Sequence, residues 1–152
     1  MESPRPPASK PTHRKLTLQQ LRPILADSKT IAIVGLSPDA ERPSHSVAAY
    51  LQQQGYRIIP VNPNISEVLG EKAYASVRDI PGPVDVVDIF RRPEAVAPIV
   101  EDAIAKGAKV VWMQVGIINE EAANRARAAG LKVVMDTCMR VTHQLLRARG
   151  EI

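Results

Sequence analysis

The chain has 152 residues, enough for one domain that buries roughly two thirds of the surface its unfolded form exposes without a disulfide or metal staple. Its formal charge of +4 comes from residues 1–29, where six basic residues face two acidic ones; the remainder carries fourteen of each sign, which excludes the continuous basic stripe of a nucleic-acid binder. The lone Cys138 excludes an intrachain disulfide and fits a reducing cytoplasm; His13, His45 and His143 are too scattered for a zinc site, and no apolar run approaches the ~18 residues of a membrane span.

In chain order, MESPRPPASKPTHRK places Pro4, Pro6, Pro7 and Pro11 among basic residues with no apolar core. It reads as a disordered basic tail over 1–16, not a secretory signal, with the folded domain spanning 17–152. Residues 17–26 predict a leading helix despite Pro23. The β-branched run at 30–36 predicts a buried strand, 44–54 a helix with Val47, Tyr50 and Leu51 on one face, and 57–61 a second strand. The pattern then repeats: strands at 84–90, 109–115 and 132–136, helices at 93–106 and 119–129, and a short closing helix at 142–149. Punctuation agrees with these boundaries. Gly55, Gly107 and Gly130 each stand where a left-handed residue closes a helix; Pro43 and Pro93 suit first helical positions, and Asn119 followed by Glu120 and Glu121 is an N-cap with acid in the first turn.

Strand, helix, strand in repetition, with strands apolar throughout, predicts an α/β fold: a doubly wound, Rossmann-like, five-stranded parallel sheet with helices on both faces. Right-handed crossovers favour the strand order 3-2-1-4-5. Ligands then bind at the carboxyl ends of the strands, where the winding reverses between the first and fourth, so function is sought in the loops at 35–44, 62–65, 90–93 and 113–118. Pro60 fits poorly in a strand of that order, since proline cannot donate to a ladder, and the strand is expected to be short.

A strand ending in glycine and feeding a helix start favours an anion, because the first N–H groups and the helix dipole point at it. The turn IAIVGLSPDAERPSHS carries Gly35 alone, however, where a dinucleotide fingerprint needs G-x-G-x-x-G. The end of the second strand reads VNPN, with Asn62 and Asn64 where a nicotinamide enzyme presents an acid to the ribose. Both departures point away from NAD and toward another phosphorylated adenosine.

Five segments together carry a family resemblance: VGLSPDAERPSHSVAAYL, GYRIIPVNPN followed by VLGEKAYAS, VDVVDIFRRPE, KVVWMQVGIIN, and VVMDTC with a later histidine. Over about residues 25–146 the chain resembles the small stand-alone CoA-binding proteins, which are similar to the CoA-binding domain of succinyl-CoA synthetase α subunits. The resemblance implies coenzyme A or acyl-CoA as ligand. It places Gly35, Leu36, Ser37 and Pro38 around the phosphates, Asn62, Pro63 and Asn64 against the nucleotide, and Met113, Gln114 and Val115 as further contacts. Where the synthetase loop has a lysine this chain has Ile65, so a cation is sought at Arg42, Arg91 or Arg92, beside Phe90. The synthetase's second domain with its phosphorylated histidine has no counterpart here, and ligase chemistry is not carried over.

Coenzyme A carries a pyrophosphate and a 3′-phosphate, which suit a helix N-terminus and a forked cation. The plainer alternatives are a solvated arginine for one of the Arg91–Arg92 pair, a turn residue for Ser37 and helix capping for Ser44 and Ser46. Cys138 and His143 with Asp136 form a weak catalytic candidate set, since five residues on a helix turn the histidine to another face. A milder alternative has Cys138 meet a bound thiol as a reversible mixed disulfide. The reading is therefore a cytoplasmic CoA-binding protein without chemistry, with no nucleic-acid or membrane partner and with pairing into a homodimer left open. The alternative is an NAD(P)-dependent or acyl-CoA-handling enzyme using Cys138 and His143.

Overall fold

The β-branched runs form strands because side chains branched at Cβ fit a pleated surface buried on both faces. In a computed structural model that describes residues 15–152, five of them build one parallel sheet: β1 (Thr30–Val34), β2 (Arg57–Val61), β5 (Val86–Ile89), β6 (Val110–Met113) and β7 (Lys132–Val134). A separate antiparallel pair, β3 (Glu67–Val68) and β4 (Glu71–Lys72), lies between β2 and β5 in the chain. Its two-residue strands were not expected from the sequence. The helices are α1 (Leu18–Asp27), α2 (Pro43–Gln53), α3 (Val96–Lys106), α4 (Glu120–Ala128) and α5 (Met139–Ala148). No helix among the described residues is long and apolar enough to cross a membrane. The basic tail expected over 1–16 lies outside the described residues except for Lys15 and Leu16.

Local signals set the helix ends. Thr17 and Gln20 form a reciprocal capping box at α1, Asn119 accepts from the Ala122 N–H at α4, and Gly107 closes α3 in the left-handed conformation. The last helix starts at Met139, three residues earlier than the sequence indicates.

The sheet order is β2-β1-β5-β6-β7. Counting only the main strands this is 2-1-3-4-5, which corrects the expected 3-2-1-4-5. The reason lies at β2. The Pro60 carbonyl accepts from the Tyr74 N–H (3.0 Å), and the Asn62 N–H donates to the Tyr74 carbonyl (2.9 Å). Alternate residues of a strand point their backbone groups to opposite sides, so the nitrogen of Pro60 faces this outer edge, where it offers no donor to a further strand. The third main strand therefore crosses back to lie beside β1, and Pro60 is accommodated because β2 is an edge strand. The winding reverses between β1 and β5, one position nearer than expected.

Two apolar layers follow from the alternation of strand side chains. Ala32, Val34, Val87, Ile89, Val111 and Met113 pack under α3 and α4; Ile31, Ile33, Val86, Val110 and Trp112 pack under α1, α2 and α5. Each fully buried Ile or Leu favours folding by about 1.5–3 kcal/mol relative to exposure. One residue breaks this pattern. Asp88, in register with Ile33 and Trp112, is fully buried in the second layer with no hydrogen-bond partner among the described residues for either carboxylate oxygen.

Candidate functional site

The reversal brings the ends of β1 and β5 into contact. Gly35 has φ +88°, and a Cβ placed there would lie 2.4 Å from the Phe90 carbonyl oxygen, so only glycine permits this approach. Its N–H donates to the Val61 carbonyl at 2.9 Å, tying the turn to β2. The chain then folds back on the start of α2. Ser44 Oγ accepts from the Ser37 N–H (3.0 Å), Ser37 Oγ accepts from the Asp39 N–H (3.1 Å), and His45 Nδ1 lies 2.9 Å from the Ser37 carbonyl. Unlike α1 and α4, α2 has no side-chain cap: Arg42 stands at its N-cap position and Pro43 follows. Pro43 has no N–H and the His45 N–H donates to the Arg42 carbonyl at 3.0 Å, so in this turn the Ser44 N–H is left for an external acceptor.

Asn62 knots the second loop to the first. Its Nδ2 donates to the Leu36 carbonyl (3.0 Å) while its Oδ1 accepts from the Asn64 N–H (2.9 Å). On the neighbouring strand ends, Arg91 lies over the first turn, its Nε 3.3 Å from where a Gly35 Cβ would sit. Arg92, largely exposed, pairs loosely with Glu94 at 3.8 Å. Gln114 is only 5% exposed; its Oε1 accepts from the Met139 N–H at 3.2 Å. Val115 beside it is 64% exposed. The 114–117 turn is fixed by Asp136, whose Oδ1 accepts from the Gly116 N–H at 2.7 Å.

These loops enclose a cleft of about 760 Å³. Of the residues expected at a site, Gly35, Ser37, Arg42, Ser44, Asn62, Phe90, Arg91, Arg92, Gln114 and Val115 line it. Leu36 and Met113 instead bury their side chains in the core and offer the loops only backbone. Pro38, Pro63 and Asn64 are outside the lining, and Ile65 packs on the apolar layer. Sequence reading missed Arg140, which lines the cleft from the first turn of α5 and donates to Ser46 Oγ at 3.3 Å. Among the described residues the cleft thus presents four arginines, Arg42, Arg91, Arg92 and Arg140, and neither a carboxylate nor an imidazole.

The proposed Cys138, His143 and Asp136 grouping is divided between places. Cys138 lines the cleft, whereas His143 lines a second cavity near the opposite end of α2, with its Nδ1 2.7 Å from the Tyr50 hydroxyl and edge-on to the Tyr50 and Tyr56 rings. Burial, and then the charge of Arg147, push the His143 imidazole below its ordinary range. Asp88 lies one level beneath the cleft floor, since Gly35, Phe90 and Gln114 each follow by two residues the strand positions paired at Ile33, Asp88 and Trp112. Burial holds its carboxyl well above the usual carboxylate range.

Comparison with known proteins identifies the chain's relatives. The chain is 44% identical over 128 residues to the uncharacterised protein YneT of Bacillus subtilis, covering 84% of this chain and 95% of that one. It shares 46% identity and a TM-score of 0.85 with the structure of a hypothetical protein from Pyrococcus horikoshii, covering 97% and 99% of the two chains. It is also 30% identical over 131 residues to the α subunit of ADP-forming acetate–CoA ligase II of Pyrococcus furiosus, covering 78% of this chain but 29% of that subunit. A family model described as a CoA binding domain matches residues 29–144. The chain belongs to this CoA-binding domain family.

Proposed function

We propose that the cleft binds coenzyme A or an acyl-CoA and that the protein is a binding protein that turns over no substrate. The carrying observation is the charge of the cleft: among the described residues, four arginines and no carboxylate around the uncapped start of α2. That is an environment for a ligand with several phosphate groups. Arg91, lying over the Gly35 turn, belongs with the phosphates held there; Arg42, Arg92 and Arg140 remain for a second anion. A nicotinamide dinucleotide is disfavoured because no acid stands at the second loop to accept from a ribose hydroxyl and both ends of the Asn62 amide are engaged. Among the described residues the lining offers no carboxylate or imidazole as a general acid–base pair, which supports the reading as a binding protein.

A thermal-shift panel of coenzyme A, acetyl-CoA, NAD, NADP and ATP tests this. A ligand held only by the folded state at 100 times its Kd adds about 2.7 kcal/mol, which raises Tm by roughly 5–10 °C for a domain of this size. The CoA species are expected to produce that shift and the nicotinamides none. A larger shift with NAD or NADP overturns the proposal.

A further inference from the structure

One wall of the cleft carries chemistry that anion binding leaves unused. Cys138 lines it at the N-cap of α5, where its side chain makes no capping bond. Beside it stands the Gln114 amide, more than nine-tenths buried, whose Oε1 is held by the N–H of Met139, the residue after the cysteine. The Nε2 of Gln114 donates to no protein atom among the described residues, although the side chain lines the cleft. With one end of the amide fixed, its nitrogen is open on the cleft side to a carbonyl of the cleft's occupant. Val115 and Ile117 make the adjoining surface apolar. Amide donor, apolar surface and thiol on one wall suit an extended arm that carries amide carbonyls and ends in sulfur.

Resting on the coenzyme A reading above, we propose that Cys138 is a thiol–disulfide exchange site for the cofactor's own sulfur, with the disulfide form of coenzyme A as co-reactant. The Cys138 thiol loses its proton to solvent, and its sulfur attacks one sulfur of the CoA disulfide. A bond forms between Cys138 Sγ and that sulfur as the CoA–CoA disulfide bond breaks, and the second CoA leaves as thiolate and takes a proton from solvent. One disulfide is exchanged for another, so no further oxidant enters. Because Cys138 is the only cysteine of the chain, no internal thiol resolves the adduct. It persists until an external thiol attacks, so occupancy of the cleft follows the balance of CoA disulfide and thiol around the protein.

The test uses the reduced full-length protein. Incubation with CoA disulfide, followed by intact-mass measurement, is expected to add one CoA less two hydrogens, reversibly with dithiothreitol and not in Cys138→Ser. Desulfo-CoA, which fills the cleft but lacks the sulfur, is expected to suppress the adduct and to slow alkylation of wild-type Cys138 by iodoacetamide. Glutathione disulfide at the same concentration is expected to react at least about tenfold more slowly, since it lacks positioning by the cleft. Calorimetry of the wild type with desulfo-CoA separates two failures. Binding without an adduct, or an adduct formed equally fast by glutathione disulfide and unaffected by desulfo-CoA, overturns the exchange site and leaves the binding reading standing. No binding of desulfo-CoA overturns both.

Discussion

Asp88 makes stability depend on pH in a direction opposite to that of a paired carboxylate. In the unfolded chain it titrates near 3.8, while in the folded protein burial without a hydrogen-bond partner holds its pKa well above that value. Between the two values the folded state keeps a proton that the unfolded state has released, so stability is full below about 3.8 and falls as pH rises toward the folded pKa. The slope is about 1.36 kcal/mol per pH unit, or roughly 3–5 °C of Tm per unit for a domain of this size. Asp88→Asn keeps the shape and is neutral throughout, so its stability lacks this descending component. Urea midpoints for both proteins from pH 5 to pH 8, converted to free energies and subtracted, isolate the residue. Asp85 and His143, whose values are lowered and whose contributions run the other way, are present in both proteins and cancel. The difference is expected to favour the variant increasingly with pH and to level off where the folded Asp88 ionises. Parallel curves across this range would refute a protonated, unpartnered Asp88 in the sheet.

Gly35→Ala is expected to destabilise by more than about 2 kcal/mol and to abolish CoA binding. A left-handed L-residue alone costs roughly 1–2 kcal/mol, and the 2.4 Å approach to the Phe90 carbonyl also forces the ends of β1 and β5 apart. Gly116→Ala has φ +80° but open space around its Cβ position, so it should incur only the first cost; equal losses in urea unfolding would count against the close approach. Arg91→Ala is expected to weaken coenzyme A and dephospho-CoA alike, by the roughly 10- to 150-fold that a charge-assisted hydrogen bond of about 1.5–3 kcal/mol represents. In titration calorimetry, a loss confined to coenzyme A would move this arginine from the Gly35 turn to the 3′-phosphate.

Local chemistry made much of the fold legible in the sequence. The β-branched runs announced five strands, Asn119 and Gly107 marked helix ends through their own hydrogen bonds and backbone preference, and Gly35 announced a tight turn at a strand end. The cleft residues of that turn, and those after β5 and β6, followed from their place at strand ends. Arg140 escaped because no capping side chain announces the start of α5, so the helix seemed to begin three residues later.

What the sequence alone determined is therefore whatever depends on neighbours along the chain: element type, caps, turns and the candidate loops. Which strand lies beside β1 was decided in three dimensions, by Tyr74 occupying the outer edge of β2 where Pro60 has no N–H to offer. The same holds for two aspartates three residues apart. Asp85 accepts backbone N–H bonds from Lys29 and Thr30 just before the central strand begins, while Asp88 is sealed between Ile33 and Trp112. Nothing local distinguishes them, because the dielectric and the partners a carboxylate meets are set by residues far away in the chain.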